Sequence, residues 1–140
     1  QTMFVALSGL LLGPVYGFLS VCLFLGAGAI GLPVFAGGKA GLGVLLGPTG
    51  GYLAAFILTS AIYGLAGGRK RKPLWLTIVL CLCAAFLTYF LGSIRLAFIM
   101  DISTPKALIL GALPFFIGDV FKIGVAISAY RFLQRRNMIP

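Results

Sequence analysis

Leu74-Trp75-Leu76-Thr77-Ile78-Val79-Leu80-Cys81-Leu82-Cys83-Ala84-Ala85-Phe86-Leu87-Thr88-Tyr89-Phe90-Leu91 contains no charged residue and shows no period-two alternation. A spanning helix needs about 20 predominantly apolar residues, so this run predicts a transmembrane helix. Just before it stands Gly67-Gly68-Arg69-Lys70-Arg71-Lys72, a helix stop followed by a basic cluster. The positive-inside rule places that cluster in the cytoplasm. The span then exits near Gly92, residues 93–104 lie outside, and a last span returns to the basic tail at residues 131–136. Both basic segments fall on one side, which reads as a multi-pass protein of the cytoplasmic membrane with loop 67–72 and the tail cytoplasmic.

Composition supports the same class. Hydrophobic residues make up 61% of the chain, charged residues only 9%, and the mean hydropathy is +1.13, far above a water-soluble domain. The apolar segments are long and interrupted by glycine, which favours a helical bundle over a β-barrel. The expected fold is an all-α integral membrane bundle, with residues 1–140 as a single transmembrane domain. The chain starts at Gln1 with no initiator Met and no basic, apolar leader, so an N-terminally incomplete chain is expected rather than a signal peptide. The net charge of +9 sits in two short clusters rather than on a face interleaved with stacking aromatics. That excludes nucleic acid and suits anionic lipid headgroups. Cys22, Cys81 and Cys83 lie in apolar runs and form no disulfide or zinc pattern. With no His and only Asp101 and Asp119 as acids, neither a metal site nor an acid/base pair has residues to be built from, and no enzyme or cofactor is expected.

Residues 2–12 read as a short apolar helix, and Pro14 opens a second that runs to about Ile30. A Gly-rich connection covers residues 31–47. Pro48 opens another helix to about Ala66, stopped by Gly67-Gly68. Residues 105–136 are too long for one straight crossing, and Gly111 with Pro114 offers a break, giving a short outer segment and a helix over 115–133. The sequence also repeats itself: Gly9-Leu10-Leu11-Leu12-Gly13-Pro14-Val15-Tyr16-Gly17-Phe18-Leu19 resembles Gly43-Val44-Leu45-Leu46-Gly47-Pro48-Thr49-Gly50-Gly51-Tyr52-Leu53. Each Gly-Pro reads as a corner between helices, and Gly17 and Gly51 as points of close helix approach.

The chemistry concentrates in Leu113-Pro114-Phe115-Phe116-Ile117-Gly118-Asp119-Val120-Phe121-Lys122. Ionisable residues at membrane depth are costly and mark binding sites or transport paths by default. Asp119 and Lys122 share a helix face at i and i+3, so they present a carboxylate and an ammonium to one small polar ligand, or simply neutralise each other. Near Pro114, Asp119 falls in an early turn where the helix dipole favours negative charge, toward the outer half of the membrane. Thr49, Gly50 and Gly51 expose backbone N–H groups at a helix start, where a ligand oxygen fits. Phe35-Ala36-Gly37-Gly38-Lys39-Ala40-Gly41-Leu42-Gly43 lacks the G-x-x-x-x-G-K-[ST] arrangement, which excludes ATP binding. It reads as a lid hinged at Gly37 and Gly38, or as an external connector. Tyr89 and Arg95 lie near the outer end of their span, where Arg95 suits a ligand carboxylate or lipid headgroups. Gln1 and Thr2 fit either cavity-facing or capping roles, and Trp75 and Tyr63 read as interfacial anchors.

Three motifs, Gly31-Leu32-Pro33-Val34-Phe35-Ala36-Gly37-Gly38, then Gly41-Leu42-Gly43-Val44-Leu45-Leu46-Gly47-Pro48-Thr49-Gly50-Gly51-Tyr52, then Leu113-Pro114-Phe115-Phe116-Ile117-Gly118-Asp119 with Lys122, occur in order. Together they resemble the BioY family, the biotin-specific S-components of energy-coupling-factor transporters. The resemblance implies six helices, the first absent here, and a subunit that captures biotin from outside and releases it inward, with transmembrane coupling and ATPase subunits as partners. It implies that Asp119 accepts from a ureido N–H, that Lys122 meets the ureido oxygen or the valerate carboxylate, and that Phe35 and Tyr52 wall the ring system. Where some members carry an amide near the 49–51 turn, this chain has Gly50. An S-component for another heterocyclic vitamin and a membrane scaffold are the alternatives. Solitary, homo-oligomeric and coupled operation all remain open at this point.

Overall fold

The computed structural model describes residues 1–67 and 72–136, so Gly68 to Arg71 of the first basic cluster lie outside the described residues. Six α-helices follow in order: α1 (Thr2–Ala29), α2 (Leu42–Leu46), α3 (Gly50–Ala66), α4 (Leu74–Met100), α5 (Thr104–Gly111) and α6 (Leu113–Arg135). A 3-10 turn at Ala36–Gly38 sits between α1 and α2. The architecture is all-α, as the apolar runs predict. α1, α4 and α6 are long and apolar enough to cross a membrane. Phe98 and Ile117 are more than four-fifths exposed on the outside of the bundle, which suits hydrocarbon and not water.

α1 holds two arms. Gly13 takes φ 82° and ψ 179°, a left-handed φ open to glycine, and Pro14 restarts the helix after it. The arms run back beside each other: a side chain at Gly17 would reach the Gly9 Cα at 2.8 Å, and Gln1 Nε2 donates to Val34 O at 3.4 Å near the far end. α3 packs most extensively of all elements against this hairpin. A Cβ at Gly64 would collide with the Pro14 and Gly13 backbone, and one at Gly67 with Leu10, so small residues set the helix spacing. The second Gly-Pro is also a corner, with Gly47 extended, and α3 begins two residues after Pro48.

The structure refines two sequence expectations and overturns a third. The 31–47 connection is not wholly irregular, because Leu42–Leu46 forms a helical turn entered through Gly41 at φ 91°. The expected exit near Gly92 is not a helix end, since α4 continues to Met100 and stops at left-handed Asp101, so most of residues 93–104 is helical. Gly92 is there for packing: the Tyr52 ring occupies the space a Cβ would need. Tyr63 is not an interfacial anchor; it is 4% exposed in the core, where Gly9 makes room for it, whereas Trp75 is exposed. The break at Gly111 and Pro114 is present, with α5 and α6 on either side. Arg131 Nη2 donates to Lys72 O at 2.8 Å and thereby joins the basic tail to the residue that closes the first basic cluster.

Candidate functional site

Asp119 anchors a cavity of about 440 Å³ bounded by α1, the 31–49 connection, α3, α4, α5 and α6. It lies about 18 Å along α6 from Arg131, at 1.5 Å per residue, so the cavity lies at the opposite end of the bundle from the basic tail and from Lys72, to which Arg131 is bonded. The carboxylate is 6% exposed. Thr2 Oγ1 and Lys122 Nζ each donate to Oδ1 at 2.8 Å, and Tyr89 Oη donates to Oδ2 at 2.6 Å. Asp119 is the seventh residue of α6, beyond the first turn, so the helix dipole contributes little, contrary to the sequence reading. Donors from α1, α4 and α6 stabilise the charge instead. Lys122 is half-exposed beside it and completes an i,i+3 ion pair.

Two aromatic residues are fixed by glycines. Tyr52 lies over Gly92 with its hydroxyl against Gly111, and its Oη shares a 3.3 Å hydrogen bond with Ser93 Oγ. Phe35 is buried against Gly28 and meets Phe24 edge-on at 5.6 Å between ring centroids. The backbone reverses after Phe35: Gly37 and Gly38 adopt φ of 74° and 70°, Gly38 N–H donates to Phe35 O, and Phe35 N–H donates to Lys39 O at 3.1 Å.

Of the residues singled out in the sequence, Phe35, Thr49, Tyr52, Tyr89, Asp119 and Lys122 line this one cavity. Gly37, Gly38, Gly50, Gly51 and Arg95 do not. Gly37 and Gly38 form the turn of the covering loop. Gly50 packs on the Leu45 carbonyl, and its N–H is used by Gly47 O at 3.0 Å, which leaves it no free donor for a ligand. Gly51 packs on the Arg95 side chain, whose Nη2 donates to Leu46 O at 2.7 Å. Arg95 thus ties the end of α2 to α4. Gln1 and Thr2 face the cavity rather than serving as caps. Sequence reading passed over Thr88, Phe56 and Lys39 as lining residues. Thr88 and Lys39 carried a signal, as a polar residue in an apolar span and a lone charge in a glycine loop. Among the described residues no three His, Cys, Asp or Glu side chains gather as metal ligands.

The family model described as the BioY family matches residues 1–138. The chain belongs to the BioY family. A probable biotin transporter BioY from Pyrococcus horikoshii is 42% identical over 134 residues, covering 96% of this chain and 78% of that protein. The biotin transporter BioY from Thermotoga maritima is 42% identical over 134 residues, covering 90% and 73%. The crystal structure of the S-component for biotin from an ECF-type ABC transporter superposes with a TM-score of 0.88 at 32% identity, covering 96% of this chain and 74% of that one. BioY relatives are transporters and not enzymes, and the long apolar helices make this member a membrane protein.

Proposed function

We propose that this BioY protein is the biotin-binding S-component of an ECF-type transporter, capturing biotin outside the cytoplasmic membrane and releasing it to the cytoplasm. The observation that carries the reading is the buried Asp119, held by three donors in a ligand-sized cavity. The volume falls within the roughly 300–1,000 Å³ of small-molecule sites, and the lining mixes aromatic walls with a few convergent polar groups. An ionised carboxylate has about four acceptor positions. Three are filled, which leaves one for a ureido N–H, while Phe35 and Tyr52 flank the bicycle.

The basic tail and Lys72 lie at the far end from the cavity, and the positive-inside rule makes that end cytoplasmic. The cavity then opens outward, and the tail arginines meet anionic headgroups. Transport draws its energy from ATP hydrolysed by partner subunits joined through a transmembrane coupling subunit. A competition panel on the purified full-length protein tests the reading: unlabelled biotin displaces bound labelled biotin, and other heterocyclic vitamins do not. Equal displacement by another vitamin would assign the site to that ligand instead.

A further inference from the structure

Lys122 is not the sole ammonium at the cavity. Lys39 lines it as well, from the covering loop. Lys39 and Phe35 form an isolated antiparallel bridge, and directly paired residues project their side chains from the same face. Phe35 and Lys39 both line the cavity, so the bridged pair places Lys39 on its edge. Its surroundings differ from those of Lys122. Lys122 Nζ is bound to Asp119 at 2.8 Å, whereas among the described residues Lys39 has no side-chain hydrogen bond or ion pair. Lys39 is also exposed. The charged side chains on the lining therefore sum to one positive charge: two ammonium groups, Lys39 and Lys122, against one carboxylate, Asp119.

A cavity with a neutralised pair on α6 and a free cation on the covering loop fits a ligand with a polar, uncharged head and one anionic tail. Given the biotin reading, on which this step rests, we infer that Lys39 receives the ligand carboxylate and makes the site selective for the acid over its neutral amide. Lys122 is the weaker candidate for that contact. Turning Lys122 to the carboxylate would strip the buried Asp119 of its ammonium partner just as a second carboxylate enters. With Lys39 in the role, the Asp119 pair stays intact around the ureido group and the loop closes over the bound tail.

The test is a binding titration of biotin and of biotinamide against the full-length wild type, Lys39→Ala, Lys39→Arg and Lys122→Ala, each checked for folding by thermal melting. The wild type is expected to favour biotin over biotinamide by about tenfold or more, the effect of one charge-assisted hydrogen bond. Lys39→Ala erases that preference by weakening biotin alone, Lys39→Arg keeps it, and Lys122→Ala weakens both ligands alike. If Lys39→Ala retains the preference while Lys122→Ala loses it, the carboxylate belongs to Lys122 and the inference is overturned. If the folded wild type binds neither compound, the biotin reading itself fails and takes this inference with it.

Discussion

Tyr89 Oη donates a 2.6 Å hydrogen bond to Asp119 Oδ2 and so joins α4 to α6, two helices that otherwise pack little against each other. Tyr89 and Asp119 also line a second, mainly apolar cavity of about 450 Å³ between α4, α5 and α6. The bonded pair is the partition between the two. Tyr89→Phe keeps the ring and removes the donor, so a stability loss of about 1 kcal/mol is expected, together with weaker ligand binding. Thermal melting with and without biotin measures both effects.

Lys122→Ala leaves a buried carboxylate without its ammonium. Biotin affinity is expected to fall roughly ten- to a hundredfold, the range of a hydrogen bond to a charged group of about 1.5–3 kcal/mol. A fall of less than threefold in the titration would mean that the pair is structural only.

Two glycines of similar helical setting separate packing from propensity. Gly64 has no room for a methyl group, since the obstacles are the Pro14 and Gly13 backbone, whereas Gly26 meets nothing within 4 Å. Gly64→Ala is expected to cost about 1–3 kcal/mol through overpacking, and Gly26→Ala to leave stability unchanged or slightly raised. Parallel melting curves in detergent decide it; equal midpoints would contradict the close α1 to α3 contact.

Arg95 touches the Leu46 carbonyl and the space over Gly51, not the cavity. Arg95→Ala is therefore expected to loosen the α2 end and lower thermal stability while the ratio of biotin to biotinamide affinity stays as in the wild type. Loss of that ratio would make Arg95 a carboxylate contact after all.

Much of this architecture was readable from the chain. The Gly13-Pro14 corner and the break before α6 follow from backbone sterics, which act locally. What the chain alone did not show at Gly92 and Tyr63 has one cause. A glycine in a helix signals a stop or a close neighbour, and only the position of Tyr52 shows that Gly92 is the latter. Tyr63 looked interfacial beside the basic cluster, yet Gly9 opens a space for it inside the bundle. In the site, Asp119 and Lys122 stood out as charges in an apolar run. Thr2 was open to a cavity-facing or a capping role, and its bond to Asp119 was not legible because the partner is 117 residues away. Gly50, Gly51 and Arg95 sit next to lining residues in sequence, but Gly50 packs on Leu45 and Gly51 on Arg95 instead of lining the cavity.

The most direct test of the account is a biotin titration of the purified full-length protein beside Asp119→Asn, with folding of both followed by thermal melting. Saturable, tight binding by the wild type that is lost or weakened at least tenfold in a still-folded Asp119→Asn is the predicted result, and a folded wild type that binds no biotin would contradict it.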